Sequence, residues 1–116
     1  MINIERIILS SVLQSEAYQT DSKILALKLN PTYFTDTFNK KISLGIERLK
    51  ELDEPICYEL LRKRFKDANK WTFTEDEKLI DLVSTVTPAG SEDLFMKYYG
   101  VLEKDILSNL DRKYSL

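Results

Sequence analysis

Two carboxylates stand four residues apart at Glu77 and Asp81, a spacing that puts both on one side of a helix. Such a pair could divide the work of general acid and base, or share a divalent cation. The simpler reading is a solvated acidic face, and it is preferred because Asp76 and Glu77 also suit a helix start. Cys57 falls on an apolar stripe and reads as a small buried residue, since a nucleophilic thiol needs an activating base. The chain has no histidine, which excludes imidazole acid–base chemistry, histidine-based triads and histidine-ligated zinc. Glycines stand singly at 45, 90 and 100, so no phosphate loop of the G-x-x-x-x-G-K type is present. The sequence therefore predicts no catalytic residue, no metal site, no cofactor and no enzymatic activity of its own.

Binding is the alternative to chemistry. Arg62, Lys63, Arg64 and Lys66 form a basic cluster that could touch phosphates or an acidic partner; on a helix such charges usually flank the apolar face and meet water. Trp71 and Phe73 beside Lys70 could stack on single-stranded bases; the preferred reading has them pinning a loop onto the core. Tyr98 and Tyr99 are better interface candidates, since tyrosine is enriched where proteins meet, with Tyr98 fitting a core role and Tyr99 a surface one.

These residues must be held by helices. Ile4, Ile8 and Val12 recur every four residues, with Ile7 and Leu9 widening the stripe, and predict a first helix over Ile2 to Gln14. Thr20 or Asp21 can cap a short second helix carrying Ile24, Leu25 and Leu27, stopped by Asn30-Pro31. A long third helix is expected from Tyr33 to Leu52 on the stripe Phe34, Phe38, Ile42, Ile46 and Leu49. Gly45 lies inside it at a cost of about 1 kcal/mol relative to alanine, for which close helix approach is one compensation, a simple weak point in the helix being the alternative. Asp53-Glu-Pro55 reads as the start of a fourth helix with Ile56, Cys57, Leu60, Leu61 and Phe65 on one face. After a loop over 66–73, Thr74 and Glu77 read as a capping box for a fifth helix carrying Leu79, Leu82, Val83 and Val86, broken by Thr87-Pro88-Ala-Gly90. Ser91 can cap the last helix, with Glu92 and Asp93 at its positive end. That helix carries two stripes: Leu94, Tyr98, Val101, Leu102 and Ile106, then Met96, Tyr99, Leu107, Leu110 and Tyr114. One stripe suffices to pack a helix, so the second either covers the domain's own neighbours or is the candidate partner-binding face.

The expected fold is all-α, a compact single-domain bundle of about six helices over residues 1–116. Composition agrees: 116 residues give room for one modest core, with 43% hydrophobic and 31% charged residues and only three glycines and three prolines. The formal net charge of −2 argues against free nucleic acid as partner of the whole surface. A single cysteine excludes an internal disulfide and fits a reducing, cytoplasmic setting. Neither a membrane span nor a secretory signal is legible.

The order of these features resembles the N-terminal domain of DnaB-type replicative DNA helicases, over about Asn3 to Ile106. The family opens with a Glu-Arg helix, here Ile4-Glu-Arg-Ile-Ile-Leu9. An aromatic-rich turn follows, here Pro31-Thr-Tyr-Phe34, then a long helix ending before a Pro-Ile pair, here Pro55-Ile56. A further helix ends in Thr-Pro, here Thr87-Pro88, before a last helix with a tyrosine near its start. The chain departs from the pattern at Cys57, where the family often has a capping aspartate. It departs again in lacking a Gly-Gly stretch before the fifth helix.

The resemblance implies an assembly and docking head that supports a dimeric or hexameric collar and binds primase, and in some members a helicase loader. DNA is engaged only indirectly and membranes not at all. ATP hydrolysis and translocation would belong to a RecA-like domain that this segment lacks, and a fragment of a longer helicase is expected. Two alternatives remain open: a helicase-interaction domain from the C-terminus of a bacterial primase, which shares the helical plan, and a small free-standing nucleic-acid-binding protein using Arg62 to Lys66.

Overall fold

The computed structural model describes the backbone of residues 3–114 and the side chains of residues 3–105. Among these residues it is all-helical: α1 (Ile4–Gln14), α2 (Glu16–Thr20), α3 (Ser22–Leu25), a 3-10 turn at Pro31–Tyr33, α4 (Thr37–Glu51), α5 (Tyr58–Asp67), α6 (Phe73–Thr85) and α7 (Glu92–Tyr114), with no strand. The sequence had six helices. The extra one, α2, has a single buried residue, Tyr18, too little for a periodic signal.

Helix α1 is the hub, packed against α2, α4, α6 and α7. Its Ile8, Leu9, Val12 and Leu13 are at most 3% exposed, and it also buries Ser10 and Ser11 completely. A buried hydroxyl needs a partner, and these two find theirs on the chain break after α6. Ser10 donates to the Val86 carbonyl at 2.7 Å, while Ser11 accepts from the Ala89 amide at 2.9 Å. Tyr18 donates to the Ala89 carbonyl at 2.8 Å. The Thr87-Pro88 break is thus fastened to the hub on both sides.

The Glu5-Arg6 pair has a comparable role. The Glu5 carboxylate accepts from the Thr35 amide at 3.1 Å, the Thr35 hydroxyl at 2.7 Å and Asn39 Nδ2 at 3.2 Å, tying α1 to the entrance of α4. Arg6 reaches the other way, to Asp81 on α6 at 2.7 Å. The two residues staple three helices together.

Several boundaries differ from those expected, each because another cap wins. Asn3 caps α1 by accepting from the Arg6 amide at 3.1 Å, so the helix starts at Ile4. Of the two caps expected for the next helix, Thr20 and Asp21, it is Asp21 that caps α3, through the Lys23 amide at 2.8 Å. The long third helix starts at Thr37, not Tyr33. Pro31–Tyr33 forms the 3-10 turn, Phe34 is extended, and Asp36 accepts from the Asn39 amide at 3.0 Å. Helix α5 starts at Tyr58, not beside Pro55; Cys57 is its N-cap and makes no side-chain hydrogen bond. Asp53 instead ends α4 with φ 55°, a left-handed stop that lets the Glu54 amide reach the Leu49 carbonyl at 2.9 Å. The capping box is Thr72 with Glu75, two residues before the expected Thr74 with Glu77. Both pairs fit the same template; Trp71 and Lys41 decide between them, donating to Asp76 at 2.8 Å and Glu75 at 2.6 Å. Ser91 caps α7 as expected, accepting from the Leu94 amide at 3.1 Å.

Candidate docking surface

Helix α7 turns Phe95, Tyr99 and Leu102 inward, with Leu94 and Tyr98 half-buried beside them. This corrects the assignment of Tyr99 to an outward, partner-binding stripe. Tyr99 is 6% exposed, its hydroxyl donates to the Lys28 carbonyl at 2.8 Å, and its ring meets Tyr33 edge-on at 6.1 Å. Burial, with Tyr33 and Glu103 close by, pushes its phenol up to about 12. Phe95, absent from both expected stripes, is fully buried and stacked on Tyr18 at 4.9 Å. It was missed because Leu94 and Tyr98 on one side and Met96 on the other drew two plausible stripes around it.

Met96 is 37% exposed and Val101 36%. The remaining candidates on this face, Leu107, Leu110 and Tyr114, lie outside the described side chains; the helix backbone itself continues to Tyr114. On a continuous helix the positions of Leu107 and Tyr114 recur over Met96 at about whole turns.

The basic cluster on α5 is largely consumed within the fold. Arg62 grips Asp76 through two bonds of 2.6 and 2.9 Å, Lys63 pairs with Asp67 at 2.9 Å, and Arg64 pairs with Glu54. Lys66 is exposed. Asp76 also accepts from the Trp71 indole; that hydrogen bond first, and the Arg62 guanidinium second, hold its carboxyl below the usual range. Glu75 is lowered as well: burial opposes the charge, but hydrogen bonds from Lys41 and the Thr72 amide outweigh it.

The two carboxylates first considered for chemistry are separated by their partners, Asp81 being bound to Arg6 while Glu77 faces solvent. Among the described residues no group of three or more aspartate, glutamate, histidine or cysteine side chains could hold a metal ion. Cys57 is half-buried, not sealed in the core. Trp71 pins its loop as preferred, stacked on Phe65 at 5.1 Å and 9°. Phe73 does not: at the first position of α6 it is 78% exposed, because the earlier helix start turns it outward.

Among the described residues the open apolar side chains fall in three places: Met96 and Val101 on α7, Phe73 and Ile80 on α6, and Leu44 on α4 with Leu52 at its C-terminal cap. The last two edge a groove of about 530 Å³ between α4 and α5. It exists because Gly45 lets α5 approach. A Cβ at that position would collide with Leu61 Cδ1 and come within 2.9 Å of the Phe65 ring. Leu44, 56% exposed, carried a signal in the sequence that went unread, namely an apolar residue out of phase with the stripe of its own helix.

A polar hollow of about 270 Å³ is lined by Arg6, Asp36, Phe38 and Lys78 among others. It holds no charge excess, since the cations Arg6 and Lys78 in its lining are balanced by the carboxylates Asp36 and Asp81. Among the described residues no helix is long and apolar enough to cross a membrane. Compared with models of protein families, with curated proteins and with solved structures, the chain matches none.

Proposed function

We propose that this domain is an assembly and docking module of the kind that heads DnaB-type replicative helicases, acting in the cytoplasm during DNA replication. Its task would be to support self-association into a collar and to engage primase in the primosome. The observation that carries the reading is the agreement between the family's order of motifs and physical junctions in the fold. The Glu-Arg pair staples α1 to α4 and α6, the aromatic turn is the 3-10 turn at Pro31–Tyr33, and Pro55-Ile56 precedes α5. Thr87-Pro88 separates α6 from α7, whose tyrosines lie in its first turns. The surface chemistry supports docking as well. The cations that would bind phosphate are mostly paired, while apolar side chains on α4, α6 and α7 stand open, and open apolar patches mark protein contacts.

The test is light scattering after size exclusion, with the chain alone and then with the C-terminal domain of the primase from the same source. A defined complex, lost in a Met96→Asp, Leu107→Asp variant that keeps its helical circular dichroism, is the expected result. A chain indifferent to primase at tens of micromolar, or binding untouched by both changes, would overturn the assignment of this face.

A further inference from the structure

We infer that the groove between α4 and α5 seats helix α6 of a second copy of this chain, through Phe73 and Ile80, in a reciprocal exchange. The inference rests on the assembly reading above and names a contact that would perform it. The groove supplies the receptor. Leu44 and Leu52 are 56% and 40% exposed at its edges, and Leu61 and Phe65 wall it. Helix α6 supplies the occupant. Phe73 is 78% exposed and Ile80 48%, and a helix that docks in a groove presents such anchors on one face. They stand seven residues apart, about two turns or about 10.5 Å of helix. Leu44 and Leu52, eight residues apart, span about 12 Å of the groove's edge, so the anchors match the length that receives them.

Within its own chain α6 cannot fill this groove. Leu79 and Leu82 are at most 1% exposed and hold α6 on α1 and α5, which turns Phe73 and Ile80 outward. A second copy must offer the helix, and charge favours it. The groove's lining carries Arg48, Arg64 and Lys70 against Asp67. Lys70 has no ion-pair partner among the described residues. Glu77, exposed between the two anchors of α6, has none either. Docking brings Lys70 to Glu77 of the partner subunit at the rim, where the pair sets the register and adds little affinity. The exchange is isologous, each copy giving a helix and receiving one. Lys70 and Phe73 are three residues apart, so rim and anchor lie within about 11 Å, and one two-fold axis beside them serves both halves of the contact.

A mixing experiment tests this arrangement. Leu44→Asp disables the groove and Phe73→Asp disables the docking helix, both at exposed positions. Aspartate also suits the first turn of α6, so folding is spared. In sedimentation or light scattering the unaltered chain should reach about twice its 13.5 kDa mass at high concentration. Each variant alone should stay at the single-chain mass with unchanged circular dichroism. An equimolar mixture of the two should regain a dimer weakened roughly tenfold, since one intact groove and one intact helix survive in the mixed pair. A charge exchange tests the register: Lys70→Glu should weaken the dimer about fivefold, and adding Glu77→Lys to the same chain should restore it.

If Leu44→Asp alone still dimerises, the groove is not the receptor. If Phe73→Asp alone still dimerises, α6 is not the occupant. Either outcome overturns the exchange while leaving the assembly reading standing. A mixture that stays monomeric, a charge exchange that restores nothing, or an unaltered chain that never dimerises overturns it as well, and the primase measurement then decides the broader reading separately.

Discussion

Gly45 offers the sharpest check on how the bundle is built. Replacing it with alanine in a helix interior should by itself gain about 1 kcal/mol. The added methyl, however, would collide with Leu61 Cδ1 and press the Phe65 ring at 2.9 Å. Neither neighbour can yield cheaply. Leu61 is 1% exposed, and Phe65 is stacked on Trp71 with the Lys41 ammonium 5.2 Å from its ring. Overpacking of this kind costs about 1–3 kcal/mol, and two such immobile neighbours place the cost in the upper part of that range. Gly45→Ala should therefore lose about 1–2 kcal/mol net.

Urea unfolding followed by far-ultraviolet circular dichroism and by the fluorescence of the single tryptophan, Trp71, measures the change. Trp71 reports on it because it is stacked on Phe65, one of the two side chains the methyl would press. Leu61→Ala alone should cost about 2–5 kcal/mol, but less in the Gly45→Ala background, where the new methyl refills part of the space. A Gly45→Ala protein that is more stable by about 1 kcal/mol, or strict additivity with Leu61→Ala, would refute the close approach of α4 and α5.

Four further outcomes are expected. Cys57 caps α5 without a hydrogen bond, so Cys57→Asp should stabilise the domain by about 1 kcal/mol, read as a higher urea midpoint at neutral pH. Asn69 ends α5 with φ 58°, so Asn69→Ala should lose about 1 kcal/mol while Asn69→Gly loses nothing; equal losses would remove the backbone explanation. Tyr99→Phe should cost about 1 kcal/mol through the lost bond to the Lys28 carbonyl, and Tyr99→Asp should prevent folding, whereas an intact, folded Tyr99→Asp domain would place the residue on the surface after all. Asp76 has its carboxyl pKa lowered from 3.8 by folding, so the stability it contributes is complete above that value and fades as pH falls through the lower folded pKa. Unfolding measured at pH 5 and pH 3 should therefore show a smaller acid loss in Asp76→Asn than in the unaltered chain.

The helices were legible where a stripe or a breaker was strong. Ile4, Ile8 and Val12 marked α1, Ile42, Ile46 and Leu49 marked α4, and Pro31 and Pro88 marked breaks that the fold keeps. What failed were the choices between neighbouring caps. Thr72-x-x-Glu75 and Thr74-x-x-Glu77 satisfy one template, and only Trp71 and Lys41, which meet α6 through tertiary contacts, select the first. Two residues of shift were enough to turn Phe73 from a core pin into an exposed ring. The faces of α7 failed for a related reason. Almost every turn of that helix carries an apolar residue, so periodicity alone left its orientation undecided until Tyr18 and Tyr33 on other elements claimed Phe95 and Tyr99. The α4–α5 groove was hidden more deeply, since it depends on the absence of a side chain at Gly45.

The ion pairs bear on which class of partner the surface favours. A protein held to nucleic acid by phosphate contacts loses affinity steeply as salt rises, because each neutralised phosphate releases counterions. For Arg62 to join such a contact it would first have to leave Asp76, where it makes two bonds and where Asp76 also holds the Trp71 indole. Releasing that carboxylate would loosen the loop that positions α6. Lys63 and Arg64 are tied less firmly, at exposed sites where pairs are worth little, but they too face carboxylates, Asp67 and Glu54. The cluster therefore presents little uncompensated charge, in a chain whose net charge is already −2. Leu44, Leu52, Phe73, Ile80 and Met96 incur no such cost on binding. They are already exposed, and covering them gains about 25 cal/mol for each Å² removed from water. Association through them would be nearly insensitive to salt. That insensitivity separates a docking module from a nucleic-acid-binding protein by a physical property, whatever partner the measurement uses.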